Sequence, residues 1–192
     1  MSNNATPSRN NLGFLTVSDS PDQGLIGGYL VLNPAGRPLE FHCTAPVRPN
    51  RAQEILYGPT LRPYLYGEQI GRALLERSAT PPLLVFTDVE PALAARDVVP
   101  IPVVFVVPEE EQQRESGNRF RLDAAHSGPP QACWPSLHRF TVGPRKLGVW
   151  PAHRQDEQEV IEHWQPHAES FDLTEPFGRI REAIEEARRT AR

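Results

Sequence analysis

Asp88 closes the run Pro82-Leu-Leu-Val-Phe-Thr-Asp88. A carboxylate therefore stands at the carboxyl end of an apolar segment of strand length, where ligands meet the sheet in α/β folds. Asp19, in Ser18-Asp-Ser-Pro-Asp-Gln-Gly24, and Glu68, inside a helical stretch, are the acids that could join it. Two carboxylates on one site gather divalent ions for phosphodiester cleavage, whereas a single Asp after a strand only caps the next turn. A second pair is Glu40 and His42. They stand at i and i+2 of an alternating stretch, so they share a strand face, and a covered face would make them the start of a general acid/base pair. The opposite face carries Leu39, Phe41 and Cys43, so the expectation is that Glu40 and His42 meet water and Cys43 is a small buried hydrophobe. A third group, Arg51, Tyr57, Arg62, Tyr64, Tyr66 and Arg72, combines cationic forks with amphipathic rings around Gly58-Pro59 and Pro63. Such clusters suit protein interfaces and also stack on bases.

Other motifs carry less. Gly24-x-x-Gly27-Gly28 precedes a strand rather than a helix, so no helix N-terminus faces an anion, and close backbone packing is the reading. Cys43 and Cys133 are the two cysteines, and Cys133-x4-His138 lacks the paired spacing of a zinc site. No metal site is expected from His42, Cys133 and His138.

These side chains need elements to hold them. Leu12 to Val17 reads as a strand, Ser18 to Gly24 as a turn, and Leu25 to Leu32 as a strand buried on both faces. Asn33-Pro-Ala-Gly36 places Asn, Pro and Gly where a tight turn wants them, and closes a hairpin onto the alternating strand Leu39 to Thr44. Asn50 with Gln53 forms a capping box for a helix carrying Ala52, Ile55 and Leu56. Gly58-Pro59 interrupts that helix, which resumes after Pro63 to about Arg77. Leu83 to Phe86 and Val103 to Val107 read as buried parallel strands joined by a short helix, Glu90 to Arg96. Glu109 to Asn118 has almost nothing to bury. Phe120 to Leu122, Leu137 to Val142 and Leu147 to Trp150 are short strand candidates. Asp156 to Gln165 and a final helix begun at Thr174 present Val160, Trp164, Phe177, Ile180 and Ile184 as apolar stripes.

The expected fold is α/β, a single mixed sheet of an antiparallel hairpin plus parallel βαβ strands. Expected boundaries are a disordered lead-in at 1–10, a core domain at 11–154 with a solvated loop at 109–118, and a helical C-terminal annex at 155–192. The 192 residues suit one domain. No apolar run is long enough to span a bilayer and the N-terminus lacks a secretion signal, so a cytoplasmic protein without membrane contact is expected. The net charge of −4 conceals an asymmetry. Six basic residues face one acidic residue over 119–154, and ten acidic face five basic over 155–192. These two regions could pair with each other.

The element order, three strands and then helix, strand, helix, strand over roughly residues 12 to 107, resembles the ribonuclease H-like fold, including endonuclease V-type enzymes. The resemblance implies acids on the first strand and at the end of the fourth. Asp88 takes the latter place, Asp19 is the acid nearest the first strand and Glu68 is a possible third ligand. It implies a divalent metal only on that nuclease reading, and otherwise no cofactor is expected. Read from its residues, the chain is a non-catalytic binding or adaptor protein presenting the kinked Tyr/Arg helix to a protein partner. Nucleic acid is the other partner the cluster suits, and the sequence sets no oligomeric state. Alternatives are a metal-dependent nuclease and a small-molecule sensor with its pocket near Asp88.

Overall fold

A computed structural model describes residues 10–109, 136–169 and 171–190. Its sheet has seven strands in the order β3-β2-β1-β4-β5-β7-β6. They are β1 (Leu12–Ser20), β2 (Gly24–Leu32), β3 (Pro38–Cys43), β4 (Leu84–Thr87), β5 (Val103–Val106), β6 (His138–Val142) and β7 (Arg145–Val149). β1, β2 and β3 pair antiparallel, and β1, β4 and β5 pair parallel. The β6–β7 hairpin then adds antiparallel to β5. The mixed α/β sheet expected from the sequence is present. Every residue of β4 and β5 is buried, as strands covered on both faces require.

The first strand is longer than its apolar run suggests. Ser18, Asp19 and Ser20 pair with Ile26, Leu25 and Gly24, which leaves only Pro21 to Gln23 for the turn. Backbone pairing extends the strand where its side chains are polar. The Asn33 turn forms as its residues dictate. Asn33 Oδ1 accepts from the Ala35 and Arg37 amides at 3.0 Å each, and Gly36 takes φ +73°.

α1 (Arg51–Tyr57), a 3-10 turn (Gly58–Thr60) and α2 (Leu61–Pro63) bury none of their residues and lead into a π-helical segment (Tyr64–Gly71) and α3 (Arg72–Arg77), which together with a 3-10 segment (Glu90–Asp97) cover one face of the sheet. Leu65, Ile70 and Leu74 pack there with Leu15, Tyr29 and Val85. The opposite face is covered by α4 (Asp156–Trp164) and α5 (Glu175–Thr190). There Phe14, Phe86, Trp164 and Phe177 form one aromatic cluster, with Phe86 and Trp164 centroids 5.1 Å apart. The two C-terminal helices thus share the sheet's own core.

Gly27 and Gly28 explain how both layers come so near. A Cβ on Gly27 would lie 2.2 Å from Ile70 Cγ2, and one on Gly28 would lie 2.2 Å from Ile180 Cγ2. Adjacent strand residues point to opposite faces, so the pair lets a helix seat on each side of β2.

The basic and acidic regions do meet. His138 Nε2 lies 2.6 Å from Glu157 Oε2, and Arg145 Nη2 lies 3.2 Å from Asp172 Oδ1. Phe120 to Leu122, Cys133 and Trp134 lie outside the described residues, as do residues 1–9 and most of the acidic loop. Among the described residues, no helix is long and apolar enough to cross a membrane.

Candidate functional site

α1 buries none of its residues. Asn50 Oδ1 accepts from the Gln53 amide at 2.9 Å, and Gln53 Oε1 accepts from the Asn50 amide at 3.0 Å. The capping box read from the sequence is therefore closed at both bonds. Yet Ile55 is 67 % exposed and Leu56 81 %. With Ala52, also exposed, they make an apolar stripe at i, i+3 and i+4 that faces water. Gly58, at φ +48°, and Pro59 end the helix after Tyr57.

Around this stripe stand the predicted Tyr/Arg residues, unevenly. Arg51 is exposed and bonded to Glu54 at 2.9 Å, and Arg72 is exposed and bonded to Glu76 at 2.7 Å. Tyr57 and Tyr64 are half-buried and stacked, with centroids 4.1 Å apart. The neighbouring Tyr64 hydroxyl, and more weakly the charge of Glu68, hold the Tyr57 phenol above its usual range. Tyr66 is buried, which corrects the expectation of an accessible ring. Its ring lies under the Arg62 guanidinium, 5.4 Å from the centroid, and its hydroxyl reaches Asp19 Oδ2 at 3.5 Å. Arg62 is thereby held in place on the surface while Tyr66 ties the π-helical segment to β1. π-Helical turns of this kind recur where a helix is shaped for a function rather than for regularity.

The acids expected to form a metal pair are separated. Asp19 contacts Tyr66 on the face carrying the π-helical segment, and Asp88 contacts Arg181 of α5 on the other face. In register, Leu15 stands beside Thr87, so Thr16 stands beside Asp88, and Asp19 is about 10 Å further along the strand. At the position facing Asp88, the first strand carries a hydroxyl. That hydroxyl, of Thr16, is buried without a hydrogen-bond partner, and so is Asp88 Oδ1. Glu68 is exposed on the π-helical segment, on the face away from Asp88. Among the described residues, no three His, Cys, Asp or Glu side chains gather as a metal-binding group.

Glu40 and His42 come out on the covered face, against expectation. Leu39 and Phe41 are 46 % and 39 % exposed and Cys43 is exposed as well, because β3 is the sheet edge and α5 lies over β1 and β2. The side chains of Glu40 and His42 are only 16 % and 24 % exposed, with His42 Nε2 3.3 Å from Glu40 Oε2. Glu40 also accepts from Ser78 Oγ at 2.7 Å, the Ala79 amide at 3.2 Å and Thr80 Oγ1 at 2.6 Å. Burial by itself would raise its pKa, but the donors from Thr80, Ser78, His42 and Ala79 outweigh it and hold Glu40 at about 2. So tightly ionised a carboxylate is a weak base and no acid at neutral pH. The cluster is a clip that fastens the edge strand to the segment after α3. Beside it, the Tyr29 phenol is raised well above its usual range, chiefly by burial and further by the charge of Glu40, which together outweigh the opposing effect of the Ser78 hydroxyl.

The clip has a pH signature. Glu40 titrates at about 2 in the fold against an ordinary 4.5. Its contribution is therefore complete above about pH 4.5 and is lost as pH falls toward 2. Glu40→Gln is expected to lower stability by about 2 kcal/mol at pH 7 and to flatten the loss between pH 4.5 and 2. Urea melts at several pH values check this, and parallel curves for the two proteins would refute it.

No family model matches the chain, and no curated protein does. Among solved structures it is similar to Ciona intestinalis endonuclease V. One crystal structure, with a 23mer DNA containing an inosine followed by a ribo-adenosine, matches at 13 % identity and a TM-score of 0.37. Another, with a 24mer DNA of the same kind, matches at 11 % and 0.34. Each match covers 73 % of this chain and 70 % of the other. At that level of superposition the likeness says nothing about activity.

Proposed function

We propose that this chain is a non-catalytic binding or adaptor protein that docks a protein partner through α1. The observation that carries the reading is a helix capped at both bonds of its capping box whose largest apolar side chains, Ile55 and Leu56, are among its most exposed. A monomer gains nothing from holding such a stripe in water, whereas a partner groove would cover it. Because Arg62 is exposed shortly after the stripe, while Arg51 is offset by Glu54, the partner is a protein with an apolar groove and an acidic residue at its rim. The stacked Tyr57 and Tyr64 supply rigid contact area beside it.

Recovery of the co-purifying partner from native cells tests this, with the full chain as bait. Leu56→Asp is expected to reduce recovery about tenfold or more at unchanged circular dichroism, while Glu182→Ala on α5 leaves it intact. Equal recovery with Leu56→Asp would overturn the proposal. So would magnesium-dependent DNA cleavage that Asp88→Asn abolishes, which would favour the nuclease reading.

A further inference from the structure

A second surface feature lies where the end of α5 passes the start of β2 and the end of β3. A groove of about 330 Å3 opens there, lined by Ile26, Cys43, Pro46, Ile184, Ala187 and Arg188 among others. Its walls are mostly apolar, and its size falls at the lower end of small-molecule sites. Arg188 is the charged side chain of that lining. Its Nε and Nη2 atoms are buried from solvent and have no hydrogen-bond partner. Leaving two guanidinium donors unsatisfied is costly, so a complementary acceptor is what this site lacks.

The two idle donors identify the acceptor. Nε and Nη2 are the side-on fork of a guanidinium, whose parallel N–H bonds match the two oxygens of one carboxylate. The same molecule shows that pairing once already: Arg96 donates from Nε to Asp156 Oδ2 at 2.7 Å and from Nη2 to Oδ1 at 3.2 Å. A smaller, polar extension of about 230 Å3 continues past Arg188, lined by Gln23, Glu185 and Arg189, where the charges of Glu185 and Arg189 offset each other. Net attraction for an anion therefore centres on Arg188. The geometry points to a binding site for a small aliphatic monocarboxylate, its carboxylate on Arg188 Nε and Nη2 and its chain along Ile26, Pro46, Ile184 and Ala187. Cys43, exposed at the mouth of this groove, reports occupancy.

Octanoate is a suitable probe, offered to the full chain carrying Cys133→Ser so that Cys43 is the remaining thiol. Titration calorimetry is expected to show saturable binding of one octanoate. Binding should weaken about tenfold or more in Arg188→Gln and for octanol, which has the same chain without the charge. Ala187→Trp, an exposed position on the helix, fills the groove and should abolish binding while leaving the fold intact. Saturating octanoate should slow alkylation of Cys43 about fivefold or more in the otherwise unaltered protein and not in Arg188→Gln. Equal affinity for octanol and octanoate, or unchanged affinity in Arg188→Gln, would overturn the assignment. A peptide ending in leucine that binds where octanoate does not would replace the small ligand with a chain terminus, and so would overturn it too.

Discussion

Asp156→Ala is expected to lower folding stability by about 3 to 5 kcal/mol, as removing one partner of a buried ion pair does. Asp156 is 3 % exposed, and Arg96 reaches it with two hydrogen bonds while donating a third to the Val99 carbonyl at 2.9 Å. The pair joins the 3-10 segment after β4 to the first turn of α4, so it links the layers on the two faces of the sheet. Asp156 at that position also faces the positive end of the α4 dipole. Removing the carboxylate leaves a guanidinium, 19 % exposed, with only the weaker charges of Glu159 and Asp97 in its place. Removing both charges is a milder change, because apolar groups of similar volume avoid the desolvation that the pair must offset. The double substitution Arg96→Met with Asp156→Leu should therefore cost less than Asp156→Ala alone. Guanidinium denaturation of the three proteins measures this, and a loss under about 1 kcal/mol for Asp156→Ala would show that the contact is not formed as described.

Gly67→Ala is expected to destabilise the protein by about 2 kcal/mol or more, although glycine to alanine inside a helix ordinarily gains about 1 kcal/mol. The helical gain loses here because of what the new methyl group would meet. A Cβ on Gly67 would lie 2.5 Å from the Ala95 backbone nitrogen and 2.5 Å from Ala94 Cβ, neither of which can swing aside. The π-helical segment and the 3-10 segment Glu90–Asp97 would have to separate, and with them the platform from which α1 projects. Gly178 on α5 is the matched control, since a Cβ there meets nothing within 4 Å. Gly178→Ala should raise the melting temperature while Gly67→Ala lowers it. Shifts of the same sign would mean that helix propensity, and not packing, governs both positions.

What could be read from the chain and what could not divides along physical lines. The buried strands were legible because Leu84 to Phe86 and Val103 to Val106 are apolar at every position that both faces must cover. The Asn33 turn and the Asn50 cap were legible because their hydrogen bonds are local. The faces of β3 were misread because alternation reveals which residues share a side and not which side is covered. Glu40 and His42 turn inward because Ser78 and Thr80, distant in sequence, supply donors there. The exposure of α1 could not be read from its stripe, because apolar spacing marks a face that wants cover and only tertiary packing shows whether its own chain provides it. Arg96 with Asp156, and Arg188 with its groove, are contacts across 60 and more residues, and no spacing rule could have paired them. Asp88 and Asp19 illustrate the converse. Both sit near carboxyl ends of adjacent parallel strands, yet the two-residue period of the strand sends them to opposite faces.

The central claim, that α1 is a docking element, is tested most directly by placing a photo-reactive phenylalanine analogue at position 56 of the full chain in its native cell. A matching chain carries the analogue at position 182 on α5. The account predicts one discrete protein adduct from position 56, none from position 182, and loss of the adduct when Ile55→Asp is added. Adducts of equal yield from both positions, or an adduct from position 56 that survives Ile55→Asp, would contradict it.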